Sequence, residues 1–260
     1  MTYSYYPGCT LKDRAKDMDA YARASARALG VELVELPEWQ CCGAVYPQAS
    51  DEIATRLSAV RALMAAEDKK LMTVCSACHH VLKRTNYDWL ADENFRVKAT
   101  NYMKPEVPYD GSTKVVHFLE YLRGDLGFDE LKRKVVNPLK GRKIGAFYGC
   151  MVLRPGRELA FDDPENPRIF EDFVRALGAE PVKYAYRNEC CGAYVALEDK
   201  ASAETQVNRA LSAATGAGVT ELVTACPLCR YNLVENATAH RLPVSYFTEL
   251  LAEALGVKEG

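Results

Sequence analysis

Leu71-Met72-Thr73-Val74-Cys75-Ser76-Ala77-Cys78 is a short β-favouring run ending on two cysteines spaced two residues apart, and Leu222-Val223-Thr224-Ala225-Cys226-Pro227-Leu228-Cys229 repeats it. Working outward, Cys41-Cys42-Gly43-Ala44 precedes the first stretch as Cys190-Cys191-Gly192-Ala193 precedes the second. Before these stand Tyr6-Pro7-Gly8-Cys9 and Phe147-Tyr148-Gly149-Cys150. The 10 cysteines of the 260-residue chain thus sort into two sets of five with none left over. Likeness extends beyond sulfur: Arg27-Ala28-Leu29-Gly30 recurs as Arg175-Ala176-Leu177-Gly178, and Val115 to Gly127 lies without gaps on Val244 to Gly256. One unit therefore occurs twice. The break falls near Asn137-Pro138, ahead of the basic Lys140-Gly141-Arg142-Lys143, giving an N-terminal domain of residues 1–139 and a C-terminal domain of residues 140–260. The first copy carries extra sequence over about residues 86–113, expected on the surface as a partner-contact element or a tolerated loop.

Strands are expected at Tyr3 to Tyr6, Val31 to Leu36, Leu71 to Val74 and Val115 to His117, with counterparts at Ile144 to Tyr148, Glu180 to Lys183, Leu222 to Thr224 and Val244 to Tyr246. Between them run helical patterns: Met18, Tyr21, Ser25 and Leu29, then Ile53, Leu57, Val60 and Met64. In the second copy Asn166 is placed to cap a helix, Pro167 to occupy its first turn, Phe170, Phe173, Val174 and Leu177 to share a face, and Gly178 to end it. Strand and helix alternate, so the expected fold is α/β: two tandem, pseudo-twofold related units, each a small, mostly parallel sheet with flanking helices. Every cysteine group comes after a strand and at or before a helix start. That is the carboxyl edge of an open α/β sheet, where ligands bind. Helix N-termini there offer free N–H groups and partial positive charge to thiolates.

Composition narrows the chemistry. With 33 Lys+Arg against 35 Asp+Glu the net charge is −2, so there is no electrostatic footprint for nucleic acid. Met1-Thr2-Tyr3-Ser4-Tyr5-Tyr6-Pro7 lacks the pattern of a signal peptide, and no apolar run approaches the roughly 18 residues of a membrane span. A cytoplasmic protein is expected, in which ten cysteines serve metal or thiol chemistry rather than a disulfide framework. No Gly-x-Gly-x-x-Gly follows a strand, so neither flavin nor nicotinamide is expected in this chain.

Five cysteines per copy exceed the four ligands of a tetrahedral zinc or a cubane 4Fe-4S cluster. Adjacent cysteines such as Cys41-Cys42 strain to ligate one ion and more easily serve neighbouring irons of an enlarged cluster. Zinc, disulfides and buried thiols remain as alternatives. Cys75-Ser76-Ala77-Cys78-His79 matches c-type haem attachment, but that chemistry requires export, and the second copy has Arg230 where His79 stands. A thioredoxin-like reading of either closely spaced pair leaves the other cysteines unexplained.

The double pattern resembles the cysteine-rich CCG domain found twice in the B subunit of heterodisulfide reductase. The resemblance includes Tyr148-Gly149-Cys150, Arg154-Pro155, Phe161 to Arg168 and Cys226-Pro227-Leu228-Cys229, and it covers essentially the whole chain. It implies two non-cubane 4Fe-4S clusters, one held by Cys9, Cys41, Cys42, Cys75 and Cys78 and the other by Cys150, Cys190, Cys191, Cys226 and Cys229. In the methanogen enzymes such clusters flank the disulfide joining coenzymes M and B, which is split reductively. The implied partners in a multi-subunit complex are one ferredoxin-like and one flavin-bearing subunit, in some assemblies with hydrogenase or formate dehydrogenase. A second reading, a non-catalytic electron-relay or anchoring subunit with zinc in at least one domain, also suits the family.

Lys12, Arg14, Arg154 and Arg157 lie close to cysteines and are candidates for binding an anionic, thiol-bearing substrate, or else solvated side chains. Disulfide cleavage also consumes two protons. Of His79, His80 and His117, the last stands at a strand end and is the expected proton donor.

Overall fold

Strands of a parallel sheet are covered on both faces, which is why the inner runs Leu71 to Val74 and Leu222 to Thr224 are continuously buried, while the edge run Glu32 to Glu35 alternates. In the computed structural model, which describes residues 1–44, 49–67 and 69–258, all eight runs are strands. The first copy comprises β1 (Thr2–Tyr6), α1 (Cys9–Asp13), α2 (Lys16–Ala28), β2 (Glu32–Glu35), α3 (Glu52–Met64), β3 (Lys70–Thr73), α4 (Ser76–Ala91), α5 (Glu93–Met103), β4 (Lys114–His117), α6 (Phe118–Tyr121), a π-helical turn (Leu122–Gly127) and α7 (Phe128–Lys134). The second comprises β5 (Lys143–Ala146), α8 (Gly156–Leu159), α9 (Ile169–Ala176), β6 (Glu180–Val182), a 3₁₀ turn (Ala193–Leu197), α10 (Lys200–Gly216), β7 (Glu221–Thr224), α11 (Pro227–Glu235), β8 (Val244–Tyr246) and α12 (Phe247–Leu255).

Both sheets are parallel and have the same order, β2-β1-β3-β4 and β6-β5-β7-β8. Tyr5 faces Glu35 on one side and Met72 on the other, as Gly145 faces Val182 and Leu222. In this order the chain reverses its winding between β1 and β3, and again between β5 and β7. The crevice beyond those strand ends is the ligand position of such sheets.

The main core is shared by both copies, and a smaller one with Val207, Leu211, Leu222 and Leu233 lies within the second copy alone. One continuous buried cluster takes in β1, β3 and α2 together with Phe161, Phe170, Phe173, Phe247 and Leu250 of the second copy. The exchange is reciprocal: α12 packs on α2, while α6 and α7 pack on α9. Each copy thus lends its last helices to the other's first long helix. Buried aromatic rings meet at this seam, each contributing roughly 1.5–3 kcal/mol by leaving water. Between α7 and β5 the connecting chain is pinned to α12, where the N–H groups of Val136 and Asn137 both donate to the Ala254 carbonyl, each at 2.9 Å.

Two local expectations change. The extra sequence over residues 86–113 is largely helix, continuing α4 and adding α5, because Trp89, Phe95 and Ala99 have an apolar face to bury and Arg56 lies 3.9 Å over the Phe95 ring. It covers the outside of the first copy. Helix α9 begins at Ile169 rather than at Asn166-Pro167, because Asp162 Oδ2 accepts the N–H groups of Arg168 (2.8 Å) and Ile169 (2.7 Å) and supplies the cap instead. Gly178 ends the helix as expected, with φ of 87°.

Candidate metal centre and substrate cleft

Each sulfur reaches the carboxyl edge for a local reason. Cys9 opens α1 after the left-handed Gly8, while Cys75 and Cys226 are the N-caps of α4 and α11, which place Cys78 and Cys229 one turn inside. Cys150 differs, sitting in a turn whose carbonyl accepts the N–H groups of Leu153 and Arg154. The segment before Cys41 is tied down by Tyr6, whose hydroxyl donates to the Gln40 carbonyl at 2.5 Å, and by Trp39, whose ring meets Tyr6 edge-on at 5.5 Å.

The Cys-Cys-Gly-Ala turn has the same backbone in both copies. Gly43 and Ala44 are both left-handed (φ 82° and 38°), as are Gly192 and Ala193 (91° and 37°). Two successive left-handed residues swing their N–H groups back onto the two sulfurs. Gly43 and Ala44 donate to Cys41 and Cys42, Gly192 donates to Cys190, and Ala193 N lies 3.4 Å from Cys191 Sγ. Asn232 Nδ2 adds a second donor to Cys191 at 3.4 Å.

Among the described residues no cysteine is in a disulfide. Cys9 and Cys41 sulfurs stand 3.2 Å apart and those of Cys42 and Cys78 3.6 Å apart. Crowding splits their ionisation in both copies, though not at matching positions: Cys191, the counterpart of Cys42, is pushed up by its hydrogen bond with Cys190. Cys42 is held well below the ordinary thiol value by hydrogen bonds with Cys41 and Cys78, and Cys226 is lowered by one with Cys229. Cys78 and Cys229 are pushed well above it by Cys42 and Cys191, then by Cys75 and Cys226.

All five sulfurs of the first set line one cavity of about 300 Å³. Its opposite wall comes from the second copy: Cys226, Tyr194, Leu228, Arg230, Tyr231 and Tyr246 all line it. The copies touch directly beside it, where Ser76 N donates to the Ala225 carbonyl at 3.0 Å. Among the described residues no three His, Cys, Asp or Glu side chains converge on a single-ion site. Five thiols ringing a space, with backbone N–H groups aimed at them, form a donor set that fits a polynuclear anionic iron–sulfur group.

The other candidate residues fall mostly elsewhere. Lys12 pairs with Glu35 at 2.7 Å and lies 3.9 Å from Asp19. Arg14 does line the cleft, but its side chain is 87% exposed and pairs with Asp13 at 3.2 Å. Arg154 is committed to the carbonyls of Asn188 (2.8 Å) and Pro164 (3.0 Å), with Glu165 at 3.1 Å, so it braces a loop. Arg157 is exposed on α8 and does not line the cleft.

His117 sits at a strand end, as expected, but faces inward. Its Nδ1 accepts the Leu119 N–H at 3.2 Å, and the rings of His79, Phe161 and Phe247 close around it with centroids 5.3 to 5.6 Å away. Burial pushes its imidazolium down to about 3. A neutral, enclosed imidazole that caps α6 does not fit the expected role of proton donor. His79 is buried beside it and also held neutral, so the carboxylate of Glu120, 3.5 Å from its Nε2, does not make an ion pair with it. His80 Nδ1 lies 2.9 Å from the Met151 carbonyl, across the seam between copies.

Sequence reading missed Tyr194, Arg230, Tyr231 and Tyr246 as walls of the cleft. Local pattern gave no signal for them, since each reaches the cysteines of the other copy. Only the repeat could have pointed to Arg230 and Tyr246, which occupy the places held in the first copy by His79 and His117.

Residues 3–83 and 144–234 match the cysteine-rich domain family designated CCG. The 8-methylmenaquinol:fumarate reductase membrane anchor subunit of Wolinella succinogenes is 33% identical over 98% of this chain and 92% of its own length. The B subunit of the ferredoxin/F(420)H(2)-dependent CoB-CoM heterodisulfide reductase of Methanosarcina acetivorans is 30% identical over 97% of this chain and 89% of its own. A crystal structure of a hypothetical protein from Helicobacter pylori shares the fold, with a TM-score of 0.74 at 10% identity over 99% of this chain. This chain spans 49% of that protein's length.

Proposed function

Because this chain belongs to the cysteine-rich CCG family and, within it, to the family of heterodisulfide reductase B subunits, we propose that it is the iron–sulfur subunit of a heterodisulfide reductase-type complex. It reductively cleaves a disulfide, the coenzyme M/coenzyme B heterodisulfide or an analogue, in the cleft between the two copies. The observation that carries the reading is the cavity wall itself: the whole first cysteine set faces Cys226 of the second across one space.

RSSR′ takes up two electrons and two protons and leaves as RSH and R′SH. Two non-cubane 4Fe-4S clusters, when bound, would supply one electron each. Cys9, Cys41, Cys42, Cys75 and Cys78 would hold one, and Cys150, Cys190, Cys191, Cys226 and Cys229 the other. The chain's own work is to hold both sulfur sets rigidly at one seam and to line the substrate space with apolar side chains. Both protons come from solvent at the mouth, where Cys9 and Cys41 are exposed. Electrons arrive from a ferredoxin-like subunit fed by a flavin-bearing one, and a cytoplasmic location goes with this reading.

The Wolinella relative, a membrane anchor subunit by name, favours a second reading, in which the chain is a non-catalytic electron-relay or anchoring subunit; zinc in at least one domain goes with that reading. Among the described residues no helix is long and apolar enough to cross a membrane, so such an anchor would act by surface docking. Metal analysis separates the two. About eight iron per chain supports the first, and about one zinc with fewer iron the second. EPR under mild thiol oxidation then tests whether substrate sulfur meets iron, and a signal unaltered by any thiol would overturn the disulfide reading.

A further inference from the structure

The repeat is broken at one pair of positions. Alignment of Cys78 with Cys229, and of Val115 with Val244, sets His79 against Arg230 and His117 against Tyr246. In the first copy the pair is two imidazoles, 5.3 Å apart between centroids and sealed in the core. In the second copy it is a guanidinium over a phenol ring, with Arg230 Cζ 4.9 Å from the Tyr246 centroid, and both residues line the cleft. The same location in the fold is a closed plug on one side and a charged wall on the other.

Arg230 is held in place without a directly paired carboxylate. Its Nε donates to the Val244 carbonyl at 2.9 Å, and the Tyr246 ring supports its flat face. Among the described residues no carboxylate lies within ion-pair distance of it. Glu235, also in the cleft wall, makes no ion pair with it, and Glu249 on α12 acts on it only through space. A half-buried guanidinium fixed at one edge, with one further contact to the Tyr246 hydroxyl, keeps its remaining donors for a planar or tetrahedral oxyanion. The same cavity is lined by all five first-set sulfurs and by Tyr194, Leu228, Tyr231 and Val234.

We propose that Arg230 is the recognition residue for the anionic end of the sulfur substrate, which binds with its sulfur at the first cysteine set and its carboxylate, sulfonate or phosphate on Arg230 from the second copy. The assignment rests on the disulfide-reductase reading above and deepens it. The substrate class is a thiol or disulfide whose short aliphatic arm bears a negative group. Recognition is one-sided, because the pseudo-equivalent position in the first copy holds the buried, neutral His79.

The test uses the full chain with its iron–sulfur groups in place and three small thiols of similar length: 3-mercaptopropionate, 2-mercaptoethanol and 2-mercaptoethylamine. Their affinities are read by calorimetry and by the shift of the EPR signal under mild oxidation. The anionic thiol is expected to bind about tenfold or more tightly than the neutral one, as one charge-assisted contact provides. Arg230→Gln removes the preference, Arg230→Lys keeps part of it, and visible absorption stays unchanged in both. With a disulfide of the anionic thiol as substrate, the change falls on KM rather than kcat. Equal binding of the three thiols, a preference that survives Arg230→Gln, or one lost instead in Arg14→Gln overturns the proposal. So does loss of absorption in Arg230→Gln, which would assign the guanidinium to the cluster. Failure of all three thiols to bind or to alter the EPR signal sinks the disulfide reading itself.

Discussion

Gly8 lies directly against Cys78: a Cβ built on Gly8 would stand 2.6 Å from the Cys78 sulfur, and the residue has φ of 78°. The second copy repeats the relationship, with 2.8 Å from Gly149 to Cys229 and φ of 66°. Glycine is required twice over, for the left-handed backbone and for the sulfur that fills the space of its missing side chain. Replacing Gly8 with Ala therefore displaces Cys78 and leaves the second set intact. Iron content is expected to fall from about eight to about four per chain, with Gly149→Ala giving the complementary loss. Iron analysis and EPR of the two variants check this.

How much of this was legible beforehand follows from the range over which each signal acts. Leu71, Met72 and their counterparts Leu222 and Val223 announce strands because a doubly covered strand is apolar along most of its length, and such patterns are local. The cysteine sets were legible for the same reason: each sulfur follows a strand, and strand ends of one sheet converge. The partnership of α2 with α12 was not, because an apolar face on Met18 and Ala22 says that something covers it without saying which copy supplies the cover. Arg154 shows the opposite error. Proximity in sequence to Cys150 suggested a substrate role, yet its guanidinium is spent on the carbonyls of Asn188 and Pro164. Arg230, far from the first cysteine set in sequence, is in the cleft.

His117 is expected to matter for stability rather than for proton delivery. His117→Ala removes the cap of α6 and a ring from the aromatic seam, losses of about 1 kcal/mol and about 2–4 kcal/mol respectively. A group titrating near 3 is already neutral throughout the neutral range, so its removal leaves the shape of the pH–rate profile between about pH 5 and 8 unchanged. Urea denaturation and a pH–rate series measure the two effects separately.

Stability should also respond to pH at the α2–α12 seam. Burial, helped by Asp17 of α2 hydrogen-bonded to it and opposed by Arg230 of α11, raises the Glu249 carboxyl to about 7. Since the folded-state value lies above the ordinary one of about 4.3, the folded protein binds the proton more tightly than the unfolded chain. The contribution is full below about 4.3, declines as pH rises to about 7, and is absent above. Glu249→Gln removes this slope, so the variant gains on the parent between pH 5 and 7.5. Thermal melts of both proteins at fixed ionic strength across that range check the sign.

The two cysteine sets should differ in reduction potential, because among the described residues only one receives a side-chain amide. Asn232 Nδ2 donates to Cys191 Sγ at 3.4 Å and to the Ala193 carbonyl at 3.1 Å, while Asn236 Nδ2 donates to Asn232 Oδ1 at 3.0 Å and fixes the amide's orientation. Counting from the aligned Cys78 and Cys229, the first copy has Val81 at this position, fully buried and without a donor. An N–H bond to a ligand sulfur favours the more negative, reduced state and so raises the potential. Asn232→Val is therefore expected to lower the midpoint of the second centre and leave that of the first in place. A redox titration followed by EPR resolves the two centres, and a midpoint unchanged in Asn232→Val would show that the amide serves only to brace the turn at Ala193.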